Sequence, residues 1–159
     1  MISLSPVMSQ SRADKLSHFI QSDGRTVILP IDHGTAIPVP GMDDPSGLIA
    51  STSAHVDGFV VNLGVARSAL ENDVFGDKGL CLRTDCYKPA HPGNPDEGAY
   101  RLYGADEADA LGAHAMKNML YPHHPNEADN FRECAELIAE SLEADIPVIL
   151  ESLPFNIGR

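Results

Sequence analysis

Thr26-Val27-Ile28-Leu29-Pro30-Ile31-Asp32-His33-Gly34 is the stretch that decides how this chain is read. Apolar and β-branched residues run unbroken from Thr26 to Ile31, long enough for a fully buried strand. Asp32 and His33 follow at once, and a carboxylate and an imidazole at the end of a buried strand are costly to desolvate without partners. Gly34 permits a sharp turn, and a Pro- and Gly-rich loop over 37–45 leads into a helical pattern. Polar chemistry at the C-terminal end of a strand, before a long loop and a helix, is where α/β folds place ligands.

Composition bounds the function. The chain has 159 residues, 43% of them hydrophobic, which suits one domain with a real core over 1–159. A net charge of −12 argues against nucleic acid and anionic membranes as partners. A phosphorylated small molecule stays open, because a few local donors suffice for one phosphate. Cys81, Cys86 and Cys134 are too few and too irregular for a disulfide framework and read as free thiols in a reducing cytoplasm. The first ten residues lack the pattern of a signal peptide, and no apolar run reaches membrane-spanning length.

The remaining pattern alternates strand and helix. Helices are predicted over 11–22, 45–53, 65–71, 106–111 and 126–144, and strands over 59–63, 80–84, 113–120 and 146–150. Asp44-Pro45 fits an N-cap followed by proline at the first helical position. The segment 86–99, rich in Pro, Gly, Asn and His, reads as a functional loop or mobile lid. Continuous apolar strands joined by helices predict a parallel sheet of right-handed βαβ units. A doubly wound sheet and part of a (β/α)8 barrel both fit. The barrel is favoured, because no Gly-rich phosphate fingerprint follows strand one and polar residues recur at the C-terminal strand ends.

Alternation along strands selects the candidate residues. Asp32, Lys117 and Glu151 converge at one end of a barrel if their parities face inward, and Lys117 alone of the four lysines falls within a predicted strand. An amine flanked by carboxylates suits acid/base or Schiff-base work; a buried salt bridge is the plainer alternative. Arg83, at the end of strand three, either holds a phosphate or carboxylate bidentately or pairs with Asp85 or Asp32. His33, Arg83 and Asn62, at the ends of strands one, three and two, are the candidate substrate-binding residues. A divalent metal held by Asp32, Glu151 and the histidines 33, 55, 91, 114, 123 and 124 is the rival chemistry, but no HxH or HExxH spacing supports it. No metal or cofactor is assigned. Cys81 and Cys86 make a poor zinc pair.

Several of these stretches together resemble a known family. Val27 to Gly34, with the Pro-rich loop and Gly47-Leu48 after it, resembles the first strand of archaeal-type class I fructose-bisphosphate aldolases. Asp57-Gly58-Phe59-Val60-Val61-Asn62-Leu63-Gly64 resembles their second strand. Gly112 to Lys117 with Leu120-Tyr121, and Asp145 to Glu151, are similar to a neighbouring branch, the tagatose-bisphosphate and sulfofructose-phosphate aldolases. In the fructose-bisphosphate branch a tyrosine acts near the end of strand five; Leu153 stands at that position here, which fits the glutamate branch.

The resemblance implies a (β/α)8 TIM barrel, of which the chain supplies about the first five β/α units. It also implies cleavage of a phosphorylated ketose through a Schiff base; the free thiols suggest a cytoplasmic setting, and the two exposed edges of an open sheet of about five strands suggest a homo-oligomer. Asp32 would orient substrate, Lys117 would be an accessory amine, and Glu151 would be the general acid/base. The family's Schiff-base lysine lies on strand six and its main phosphate site after strands seven and eight, beyond Arg159. Three expectations stay open: a fragment of a longer aldolase, a half-barrel completed by another chain, or Lys117 as the nucleophile. Alone, the chain is expected to be oligomeric and weakly active or inactive. A non-catalytic truncated barrel acting in binding or assembly is the remaining alternative.

Overall fold

The computed structural model describes residues 10–35, 39–90, 92 and 97–155. Five parallel strands form a curled sheet in chain order: β1 (Ile28–Pro30), β2 (Gly58–Val61), β3 (Gly79–Arg83), β6 (Ala115–Leu120) and β7 (Val148–Ser152). A short antiparallel pair, β4 (Asp85–Lys88) with β5 (Gly98–Arg101), stands apart from it. The helices are α1 (Arg12–Ser17), α2 (Pro45–Thr52), α3 (Leu63–Glu71), α4 (Ala105–Leu111) and α5 (Glu127–Glu143). Sequential order with parallel pairing is the sheet of a growing β/α barrel. No helix among the described residues is long and apolar enough to cross a membrane.

The two faces of the sheet differ in content. Outward residues Phe59, Val61, Leu80, Leu82 and Met116 pack against Ile49 of α2, Ala66 and Ala69 of α3, Ala108 of α4 and Leu137 of α5. This is the main core, large side chains on the strands meeting alanines on α3 and α4 and larger residues on α2 and α5. The inward face mixes small and charged residues with a few aliphatic ones. At its N-terminal end the Phe19 ring lies where a Cβ on Gly58 or Gly79 would stand, and it packs with Ile28, Val60, Cys81 and Ala115. Glycines on two adjacent strands therefore make the seat for one aromatic plug.

Four predicted boundaries need correction. Strand two stops at Val61, not Leu63, because Asn62 caps α3: its Oδ1 accepts from Val65 N–H at 2.9 Å. The first helix stops at Ser17, which frees Phe19 to turn under the sheet. Strand five begins two residues late, so Glu151 lies within it. The segment 86–99 is not all loop: residues 86–88 and 98–99 lie in the hairpin strands, and Tyr87 packs on Tyr121 and Phe155. Short, polar strands carry too little alternation to announce themselves. The rest of that segment lies partly outside the described residues, as do 36–38 of the loop after β1.

Candidate active site

The register of the parallel strands sets the site. Arg83 pairs with Lys117, Lys117 with Ile149, and Met119 with Glu151. Partners in register share a face, so Arg83 at the end of β3, Lys117 midway along β6 and Glu151 near the end of β7 all rise on the inner side. Asp32 joins them just past β1, where Ile31 N–H still bonds to Val60 O at 2.8 Å.

A continuous row of charges results. Lys117 Nζ lies 3.0 Å from Asp32 Oδ2 and 2.7 Å from Glu151 Oε2. Arg83 Nη1 donates to the same Asp32 Oδ2 at 3.1 Å. Its Nε and Nη2 both donate to Asp85, at 3.2 Å each. Asp85 Oδ1 also accepts from Met119 N–H at 3.2 Å, which ties it to the strand that carries Lys117. Asp32, Arg83, Asp85 and Lys117 are buried, whereas the Glu151 side chain is 55% exposed. Buried charges persist only when paired and hydrogen-bonded, and this row meets that condition while leaving one carboxylate open to an incoming molecule.

Neighbouring groups respond to the row. Burial works against charge on Arg83, but the hydrogen bonds and charge of Asp85, then the charge of Asp32, outweigh it and push its pKa up. Burial, then the Asp85 charge, raises the Tyr121 phenol, with Arg83 opposing. Burial pushes the Cys81 thiol up to about 12, against the pull of Lys117. Cys81 is therefore a neutral thiol at pH 7, a floor beneath the site and no nucleophile.

The structure thus brings together Asp32, Arg83, Lys117 and Glu151. His33 sits exposed on the turn after Asp32, and the Asn62 oxygen is occupied in capping α3. All three anchored nitrogens of Arg83 go to carboxylates, the second of the two roles open to it in the sequence. Asp85, which the sequence offered only as a possible partner of Arg83, does hold it, and Tyr121 is the neighbour that sequence reasoning did not place at the site. Both carried a signal: Asp85 shares the parity of Arg83, and Tyr121 that of Lys117 and Met119. Among the described residues, no group of three His, Cys, Asp or Glu stands in an arrangement that could hold a metal. Chemically, the site offers a half-exposed carboxylate able to exchange a proton, beside an amine that can offset charge developing on a bound molecule.

Comparison with known proteins bears on the fold that carries these residues. No family model matches the chain. It is 27% identical over 136 residues to 2-amino-3,7-dideoxy-D-threo-hept-6-ulosonate synthase 1 of Archaeoglobus fulgidus, covering 85% of this chain and 51% of that protein. It is 27% identical over 148 residues to fructose-bisphosphate aldolase class 1 of Thermoproteus tenax, covering 89% of this chain and 54% of that one. The chain is thus similar both to an archaeal class 1 fructose-bisphosphate aldolase and to a heptulosonate synthase. An archaeal fructose-1,6-bisphosphate aldolase, solved with its catalytic lysine covalently bound to the carbinolamine intermediate, superposes with a TM-score of 0.72 at 25% identity, over 91% of this chain and 58% of that one. A Schiff-base-forming fructose-1,6-bisphosphate aldolase gives 0.71 at 25% identity, over 91% and 58%. The curled parallel sheet is thus that of the aldolase barrels, and the chain spans about half the length of the curated relatives it matches.

Proposed function

We propose that this chain carries the acid/base part of a class I aldolase site, acting on a phosphorylated ketose built from dihydroxyacetone phosphate and an aldehyde. The observation that carries the reading is the Asp32–Lys117–Glu151 row at the C-terminal ends of β1, β6 and β7. In cleavage, the hydroxyl beside the scissile bond gives its proton to the Glu151 carboxylate. The electron pair of the breaking carbon–carbon bond moves to an iminium formed on a lysine, leaving an enamine and a free aldehyde. Lys117 offsets the charge on the substrate oxygen and on Glu151. Asp32 holds Lys117 in place and orients substrate hydroxyls. His33 and Asn62, at the mouth, are proposed to contact the sugar, and Arg83 to steady Asp32.

Lys117 Nζ is engaged by two carboxylates, which favours an accessory cation over a nucleophile that must approach a carbonyl. We therefore propose that the Schiff-base amine comes from a further β/α unit. Reductive trapping decides this. The chain is incubated with dihydroxyacetone phosphate and borohydride and mapped by mass. An adduct on Lys117 would overturn the accessory role. Ligand bound with no adduct on Lys117, and lost in Glu151→Gln, supports it. Turnover abolished by a chelator, with no adduct on any lysine, would replace the Schiff base with metal chemistry.

A cytoplasmic homo-oligomer is the accompanying proposal. Free thiols and the exposed apolar side chains Leu142 of α5 and Ile149 and Leu150 of β7 support it. Sedimentation of the purified chain tests the assembly; a monomer at all concentrations contradicts it.

A further inference from the structure

The functional reading above leaves one buried carboxylate without a task. Asp85 is 1% exposed, touches neither Lys117 nor Glu151 in any ion pair described, and takes two of the three anchored nitrogens of Arg83. A guanidinium beside a carboxylate prefers the two-pronged, planar geometry. An unrestrained Arg83 would turn more fully toward Asp32 and compete with Lys117 for Oδ2, the oxygen that both now share. Asp85 prevents this by occupying Nε and Nη2, so that Nη1 alone reaches Asp32. Met119 N–H holds Asp85 itself in place at 3.2 Å, two residues beyond Lys117 on the same strand.

We propose that Asp85 and Arg83 form a positioning pair that meters the hold of Asp32 on the Lys117 amine. The pair touches no substrate and acts through Asp32; this rests on the reading of Asp32 and Lys117 as members of the reactive site. It also removes Arg83 from the set of groups able to clasp a substrate phosphate, since turning the fork outward would strand Asp85 as a buried, unpaired charge.

Asp85→Asn tests the proposal, because it keeps the shape and removes the charge. The amines are methylated with formaldehyde and cyanoborohydride, and the rate at each lysine is read by peptide mass, with Lys78 and Lys88 as internal references. In the variant Arg83 competes more strongly for Asp32 Oδ2, Lys117 loses part of its anionic company, and its modification rate rises about tenfold over the reference lysines. Asp85→Glu restores a rate close to that of the unaltered chain. A Lys117 rate unchanged relative to the references, or too slow to measure in both proteins, overturns the proposal, even if the variant is less stable. Should Asp85→Asn fail to fold, nitrogen-15 spectra of the unaltered chain decide: hindered rotation with separate Nη signals for Arg83 is expected, and averaged signals contradict it. None of these readouts uses turnover. Failure to trap dihydroxyacetone phosphate would sink the aldolase reading and leave the positioning pair standing.

Discussion

The inner face of the sheet is closed at its two ends by opposite means. At the N-terminal end one ring, Phe19, fills the space that Gly58 and Gly79 leave. At the C-terminal end, on the same strands' neighbours, five ionisable side chains hold one another in a row. Apolar contact is undirected and gains from every ångström of area removed from water. Ion pairing is directed and repays desolvation only while each partner stays in place. One end is thus built to stay shut. The other leaves the half-exposed Glu151 carboxylate facing solvent while the buried charges stay paired. On the proposed reading, the first end serves mainly stability and the second also serves chemistry.

That division can be broken by substitution. Phe19→Ala removes the plug and should cost about 4 kcal/mol in chemical denaturation, while ligand binding at the charged end persists wherever the variant remains folded. Lys117→Met should cost about 3 kcal/mol, less than a fully isolated pair because Asp32 retains Arg83; here ligand binding should vanish along with the stability. Equal loss of binding in both variants would erase the distinction between the ends.

Acid should sharpen the comparison. Near the plug, His114 stacks on His18 with ring centroids 3.7 Å apart and accepts a hydrogen bond from Leu80 N–H through Nδ1 at 3.1 Å. Burial, then the charges of His18 and Lys15, pulls its pKa down to about 4. His18 in turn contacts the Asp77 carbonyl, and Lys15 reaches the Asp145 carbonyl. The unfolded chain binds a proton at this histidine near pH 6.5, before the folded one does. Stability from His114 is therefore complete above pH 6.5 and drains away as the pH falls towards 4. The loss should be about 2 kcal/mol after allowing for solvent at this half-buried ring, and absent in His114→Gln. The smallest effect on stability should come from Asn62→Ala, which removes the α3 cap at about 1 kcal/mol; ligand binding should weaken as well, and binding unchanged in the folded variant would remove Asn62 from the mouth.

Much of this was legible in the sequence because alternation is rigid. Once β1, β6 and β7 are recognised as strands, the parities of Asp32, Lys117 and Glu151 follow, and parallel register does the rest. The same reasoning reaches Asp85 and Tyr121, but only if the strand period is carried past the apolar run into polar residues. Other features are not local. Phe19 reads as one apolar residue on a helix face, and its seat on Gly58 and Gly79 exists only after three distant segments meet. The hairpin of β4 and β5 is invisible for a related reason: its strands are held by Tyr87 against Tyr121 and Phe155, partners far along the chain. Asn62 was read as a strand end because capping depends on a backbone N–H three residues on, and no hydrophobic pattern reports that.

The most direct test is a titration of the nitrogen-15-labelled chain with dihydroxyacetone phosphate, following backbone amides. The account predicts shifts gathered at Asp32, Arg83 to Asp85, Lys117 to Met119 and Glu151, with Phe19, Gly58 and Gly79 unmoved. Shifts confined to the plug, spread evenly over both ends, or absent altogether would contradict it.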